Sequence, residues 1–142
     1  MPRLFTPRSL SLTAGALLLA LATAFAAFSA GADDRADFLP YSAARLAALQ
    51  AEGRPVLVDV HADWCPTCRR QGPILARLLA EPELAGYAAL KLDWDDQRDA
   101  ARELGAPRQS TLFVFKDGNK LGMSVAETDE ARLRGFLRQG VK

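Results

Sequence analysis

Residues 56–68, V-L-V-D-V-H-A-D-W-C-P-T-C, constrain the fold of this chain more than any other stretch. Val56, Leu57, Val58 and Val60, interrupted only by Asp59, have the length and apolarity of a buried strand, and residues 69–79 have the spacing of an amphipathic helix. Strand, sharp turn and helix start therefore meet at Cys65 and Cys68. Two cysteines three apart at a helix N-terminus lie on the same side of one turn, close enough for a disulfide. Cys65, at the cap, sits in the field of the unsatisfied N–H groups, which favours its thiolate. Cys68, one turn in, is expected to be the more shielded of the two. The spacing assigns Cys65 as the nucleophile that attacks a disulfide in another molecule and Cys68 as the thiol that resolves the mixed disulfide.

The chain has 2 cysteines and 1 histidine. A disulfide that stabilises an exported domain closes a long loop, and Cys65–Cys68 would close a very short one. A structural zinc site would need a second cysteine pair or more histidines. The pair is therefore read as a redox site.

Arg3 and Arg8 precede residues 9–32, which carry no charged side chain and are rich in Leu and Ala. Ala24-Phe25-Ala26 and Ala30-Gly31-Ala32 are small-x-small cleavage sites, the layout of a secretory signal peptide. An uncleaved N-terminal membrane anchor is the rival reading for residues 1–32. Both place the remainder in the periplasm or elsewhere outside the cytoplasm. Cleavage would leave about 110 residues, enough for one compact core. Without Arg3 and Arg8 the 18 Lys and Arg fall to 16 against 17 Asp and Glu, which recommends neither nucleic acid nor an anionic surface as partner.

Residues 33–41 read as a linker. Ser42 is a candidate N-cap for a helix to about Glu52, with Leu46 and Leu49 inward. The strand at 56–61 and the cysteine helix follow; Pro73 inside that helix is expected to kink it. Residues 87–92 read as a second strand. Asp95 or Asp96 starts a helix that runs to Leu104 and stops at Gly105. Residues 111–116 are a third strand, Asp117-Gly118 a tight hairpin, residues 119–124 a fourth strand, and 129–139 the last helix. The order combines a parallel beginning with an antiparallel hairpin, covered by helices on both faces.

Asp59, Ala62, Trp64-Cys65-x-x-Cys68, Pro73-Ile74-Leu75, Lys91, Gly105, Thr111 and Phe115-Lys116-x-Gly118 together resemble the thioredoxin superfamily. His61-Ala62-Asp63-Trp64-Cys65 is similar to exported, periplasmic thioredoxin-like proteins, among them the C-terminal thioredoxin-like domain of membrane thiol transporters. The resemblance implies an α/β thioredoxin fold over residues 42–142, with a mixed four-stranded or five-stranded sheet between helices. It also implies that Asp59 is the buried acid that takes the proton of Cys68, and that Lys91 pairs with Asp59. Flanking by Val58 and Val60 independently argues that Asp59 is buried.

Trp64, Pro66, Thr67, Ser110 and Thr111 match the family's substrate-facing positions. Thr67 offers no charge, which points to an intermediate or reducing poise. One departure stands out: Ser110 occupies the place of the family's cis-proline. A cis bond before a non-proline residue costs on the order of 3 kcal/mol, so the Gln109–Ser110 bond is expected to be trans, or else strained and held by its surroundings. Loss of the proline ring is expected to leave Cys65 and Cys68 less covered. His61, two residues from Asp59 and so on the same side of the strand, would tune the Cys65 thiolate.

The resulting expectation is an extracytoplasmic thiol:disulfide oxidoreductase that reduces protein disulfides. It would need no bound cofactor beyond its own Cys65–Cys68 disulfide and would be recharged by a membrane thiol transporter. Apocytochrome c, a disulfide isomerase or a copper-handling protein are the candidate acceptors by analogy. The alternatives are a dithiol oxidase of the same fold and a noncatalytic metal-binding or delivery module built on Cys65, Cys68 and His61.

Overall fold

The computed structural model describes residues 37–142; the leader at 1–32 and the first residues of the linker lie outside them. The elements are β1 (Leu39–Pro40), α1 (Ala43–Ala51), β2 (Val56–His61), α2 (Pro66–Leu79), β3 (Ala88–Asp93), α3 (Arg98–Leu104), β4 (Thr111–Lys116), β5 (Asn119–Val125) and α4 (Glu130–Leu137), followed by a 3-10 turn at Arg138–Val141. They form a five-stranded sheet in the order β1-β3-β2-β4-β5. β1 and β2 run parallel to β3, whereas β4 is antiparallel to β2 and β5 antiparallel to β4.

The fifth strand is β1, which falls within the stretch read as linker. Its two residues are too short to show a period, and it is fastened by pairing to β3, continued by the Tyr41 N–H donating to the Lys91 carbonyl at 2.8 Å. Proline is tolerated there because β1 is an edge strand.

Side chains alternate across the sheet, and this alternation decides where the chemistry lies. Val56, Val58 and Val60 of β2 pack with Leu90, Leu92 and Phe113 against Leu46 and Leu49 of α1 and Ala101 of α3. Leu57, Ala89, Leu112 and Val114 face the other way, onto Leu75 and Leu78 of α2 and Leu133 and Leu137 of α4. Asp59 shares the parity of Leu57, and Lys91 that of Ala89, so both fall on the α2 side.

Local chemistry sets most boundaries. The Ser42 side chain accepts from the Arg45 N–H at 3.1 Å and caps α1. Asp117 and Gly118 both have positive φ, +50° and +79°, as a two-residue hairpin of the type I′ kind requires. α3 begins at Arg98, later than the aspartates suggest. The Asp93 carboxylate accepts from the N–H groups of both Asp95 and Asp96, at 2.8 and 2.9 Å, and holds them in a turn. The last helix tightens to 3-10 geometry at Arg138, before the expected end at Gln139. Among the described residues, no helix is long and apolar enough to cross a membrane.

Candidate active site

Cys65 is the N-cap of α2. Its backbone is extended (φ −79°, ψ 115°), its Sγ accepts from the Cys68 N–H at 3.2 Å, and Pro66 takes the first helical position, where a missing N–H leaves no bond unmade. Cys68 follows one turn later. Both sulfurs are free thiols.

One expectation is corrected here. Cys65 and Cys68 are each 1% exposed, so the missing proline ring has not uncovered them, and Cys68 lies deeper than Cys65 as expected. They pack against Ala62 and the half-buried Trp94, with Ser110 itself buried beside them. Depth and hydrogen bonding together separate the two thiols. Burial pushes the Cys65 thiol up, but contacts from the Cys68 side chain and N–H, the Ser110 hydroxyl and the Thr67 backbone outweigh it and leave Cys65 below the ordinary thiol value. Burial pushes the Cys68 thiol up, and the neighbouring Cys65 sulfur raises it further. The low member is the one at the helix tip.

Ser110 meets the sulfurs through its side chain. The Gln109–Ser110 bond is trans, in line with the sequence, and the strain appears instead in φ, which is +62°. A left-handed conformation costs a non-glycine residue on the order of 1 kcal/mol. It is held from both sides, because the Ser110 N–H donates to the Val60 carbonyl at 2.7 Å and its carbonyl accepts from the Ala126 N–H at 2.8 Å. The hydroxyl lies 3.3 Å from Cys68 Sγ and 4.0 Å from Cys65 Sγ.

Asp59 is 3% exposed, and its Oδ1 is buried without a hydrogen-bond partner. It is register partner to Lys91. The two line one cavity of about 210 Å³ with Phe38, His61, Pro73 and Ala76. The Lys91 ammonium stands over the Phe38 ring at 5.8 Å, while the near ionic contact of Asp59 is His61, Nδ1 to Oδ2 at 3.6 Å. The other imidazole nitrogen lies 3.3 Å from the exposed Asp63. His61 does share the side of Asp59, but both its nitrogens face carboxylates; it is not a direct tuner of Cys65. Among the described residues, no three His, Cys, Asp or Glu side chains are grouped to hold a metal, and Cys65, Cys68 and His61 do not form such a group.

Of the remaining expected residues, Trp64 is 55% exposed and donates its indole N–H to Asp95 at 2.7 Å. Pro66 is exposed and Thr67 half-buried at the rim. Thr111 is buried, its hydroxyl donating to the Arg108 carbonyl at 2.7 Å. Sequence reasoning passed over Trp94, Asp95 and Gln71. The signal for Gln71 was available: it sits on the inward face of α2 with Cys68, Leu75 and Leu78, a polar residue among apolar ones.

Residues 43–139 match the family model described as Thioredoxin. The chain belongs to the thioredoxin family. It is 34% identical over 85 residues to the mitochondrial thioredoxin of Mus musculus, covering 60% of this chain and 51% of that one, so it spans about half the length of that relative. It is 34% identical over 89 residues to a thioredoxin of Pseudomonas aeruginosa, covering 63% of this chain and 81% of that one. The crystal structure of Trxlp from Edwardsiella tarda EIB202 superposes with a TM-score of 0.68 at 40% identity, over 71% of this chain and 98% of the other. Thioredoxin family membership accounts for the five-stranded sheet, the helices on both faces and the Cys-x-x-Cys at the tip of α2.

Proposed function

We propose that this chain is an extracytoplasmic thiol:disulfide oxidoreductase that reduces protein disulfides by dithiol exchange. The observation that carries the reading is the pair of free thiols at the tip of α2, Cys65 at the N-cap with its Sγ accepting the Cys68 N–H at 3.2 Å and Cys68 one turn behind. The Cys65 thiol is held below its ordinary value and Cys68 above its own.

The Cys65 thiolate attacks one sulfur of the substrate disulfide and displaces the other as a thiolate, which takes a proton from water. Cys68 then loses its proton and attacks Cys65 Sγ. The Cys65–Cys68 disulfide forms, the second substrate thiolate leaves, and two electrons have passed to the substrate. Asp59 is assigned as acceptor of the Cys68 proton. Its buried, unpartnered Oδ1 supports this role. Lys91 is its register partner, with its ammonium turned to the Phe38 ring. Trp64 and Pro66, with the half-buried Thr67, form the rim that a substrate meets first. The electrons reside in the dithiol itself.

The uncharged stretch at 9–32, preceded by Arg3 and Arg8, supports export by a cleaved leader or tethering by a retained one. In an oxidising compartment a reductase needs a thiol supply, for which a membrane thiol transporter is the fitting donor and an exported protein disulfide the fitting acceptor.

Equilibration of the domain with glutathione buffers tests the direction. A reductase should give a potential near about −270 mV, and a value near about −120 mV would replace the reading with a dithiol oxidase.

A further inference from the structure

A proline at the position of Ser110 would bring no hydrogen-bond donor to the sulfurs, whereas serine brings one hydroxyl, with one proton and room to accept. That hydroxyl has three neighbours: Cys68 Sγ at 3.3 Å, Cys65 Sγ at 4.0 Å and Gln71 Oε1 at 3.5 Å. Ser110 is fully buried and Gln71 is 1% exposed, so no bulk water competes for these contacts. The Gln71 amide is itself anchored. Its Nε2 donates to the Glu127 carbonyl at 2.7 Å, which turns Oε1 toward Ser110. Glu127 follows Ala126, whose N–H holds the Ser110 carbonyl, so the backbone and side chain of Ser110 are tied to the same loop.

We propose that Ser110 is a catalytic hydroxyl that stabilises the negative charge as it develops on Cys68 during exchange, and that Gln71 is the positioning residue that holds it beside that sulfur. This rests on the exchange chemistry proposed above. With Cys68 protonated and Cys65 the thiolate, the Cys68 S–H serves the Cys65 sulfur and the Ser110 O–H donates to Gln71 Oε1. Cys65 Sγ lies farther from the hydroxyl oxygen, at 4.0 Å, than Cys68 Sγ does at 3.3 Å. Once Cys65 is bonded to substrate and Cys68 has given up its proton to Asp59, the Ser110 O–H turns from Gln71 to the Cys68 thiolate. No bond to Ser110 is made or broken, and its proton stays on oxygen throughout. A buried hydroxyl with an alternative acceptor in Gln71 is satisfied in each state.

The experiment mixes the reduced domain with the aromatic disulfide of thionitrobenzoate in a stopped-flow instrument. One thionitrobenzoate is released when Cys65 attacks, a second when Cys68 resolves. The key variant is Ser110→Gly, because glycine adopts φ +62° without strain while removing the hydroxymethyl group that carries the donor. The expected result is a thermal midpoint equal to or above the wild type, thiolate absorbance that develops at higher pH, and a second phase slowed about tenfold. Gln71→Met should slow the second phase severalfold in the wild-type background and have no effect on top of Ser110→Gly. Ser110→Gly phases and thiolate titration unchanged from wild type would overturn the proposal, as would effects of the two substitutions that simply multiply. Should Ser110→Gly not fold, Gln71→Met decides alone, and an unchanged second phase overturns it. A wild-type protein that releases no second thionitrobenzoate would instead sink the exchange reading itself.

Discussion

His61 stands between a buried carboxylate and an exposed one, 3.6 Å from Asp59 and 3.3 Å from Asp63. Its contact with Asp59 raises its pKa above the ordinary histidine value; burial and the Lys91 charge oppose this, and Asp63 adds to it. A histidine whose folded pKa is raised contributes stability that is complete below about pH 6.5 and is lost as pH climbs through the raised value. Urea midpoints measured from pH 5.5 to 8.5 should therefore fall for the wild type relative to His61→Gln; parallel curves would remove His61 from the stability of the site. The inequality of the two thiols has its own readout. At neutral pH, iodoacetamide should label Cys65 ahead of Cys68, as read by peptide mass spectrometry, because the thiolate is the reacting form. The sequence already placed His61 on the side of Asp59, since strand parity depends on numbering alone. The two carboxylates that its nitrogens meet, Asp59 and Asp63, are also spaced two residues either side of it. Ser110 shows the limit of such spacing. Removal of a proline ring is visible in the sequence, but the serine hydroxyl turning in to cover the sulfurs is a matter of φ at one residue.

α2 depends on a reactive side chain for its cap, because the Cys65 sulfur is the acceptor for the Cys68 N–H. Cys65→Ala should cost about 1 kcal/mol more stability than Cys65→Ser, since serine keeps an acceptor at the N-cap and alanine does not. Urea unfolding of the two reduced variants measures the difference, and equal midpoints would show that the cap contributes nothing. Elements with strong local signals were legible: Ser42 ahead of α1, Asp117-Gly118 between β4 and β5, and Gly105 at φ +84° ending α3. The start of α3 was not. Gln97, the residue at the N-cap of α3, makes no side-chain cap bond; its side chain accepts from the Asp93 N–H and donates to the Tyr41 carbonyl. β1 escaped notice because its partner, β3, lies some fifty residues away in the chain, as the pairing Leu39 to Leu90 shows.

At the scale of the whole molecule, the end of the chain closes over the start of the sheet. The Tyr87 hydroxyl donates to the Leu137 carbonyl at 2.5 Å, and burial pushes its phenol up to about 12, so it stays a donor throughout the working range of pH. Gly140 lies against the same ring, where an added Cβ would collide with the hydroxyl oxygen and crowd Pro55. Gly140→Ala should destabilise the domain by about 1–3 kcal/mol, read as a lowered urea midpoint, without moving the thiolate titration at the far end of β2. The two-layer arrangement was legible because alternation in β2 to β4 puts apolar side chains on both faces. The buried acid was legible for the same reason, as the one charge in the Val56–Val60 run of β2. The most direct test of the central claim is capture by the Cys68→Ser variant of the full chain in its native compartment, with the attached sulfur mapped by mass spectrometry. Mixed disulfides with other proteins should accumulate on Cys65 and vanish in Cys65→Ser; partners retained through Cys68 in Cys65→Ser would contradict the assigned roles.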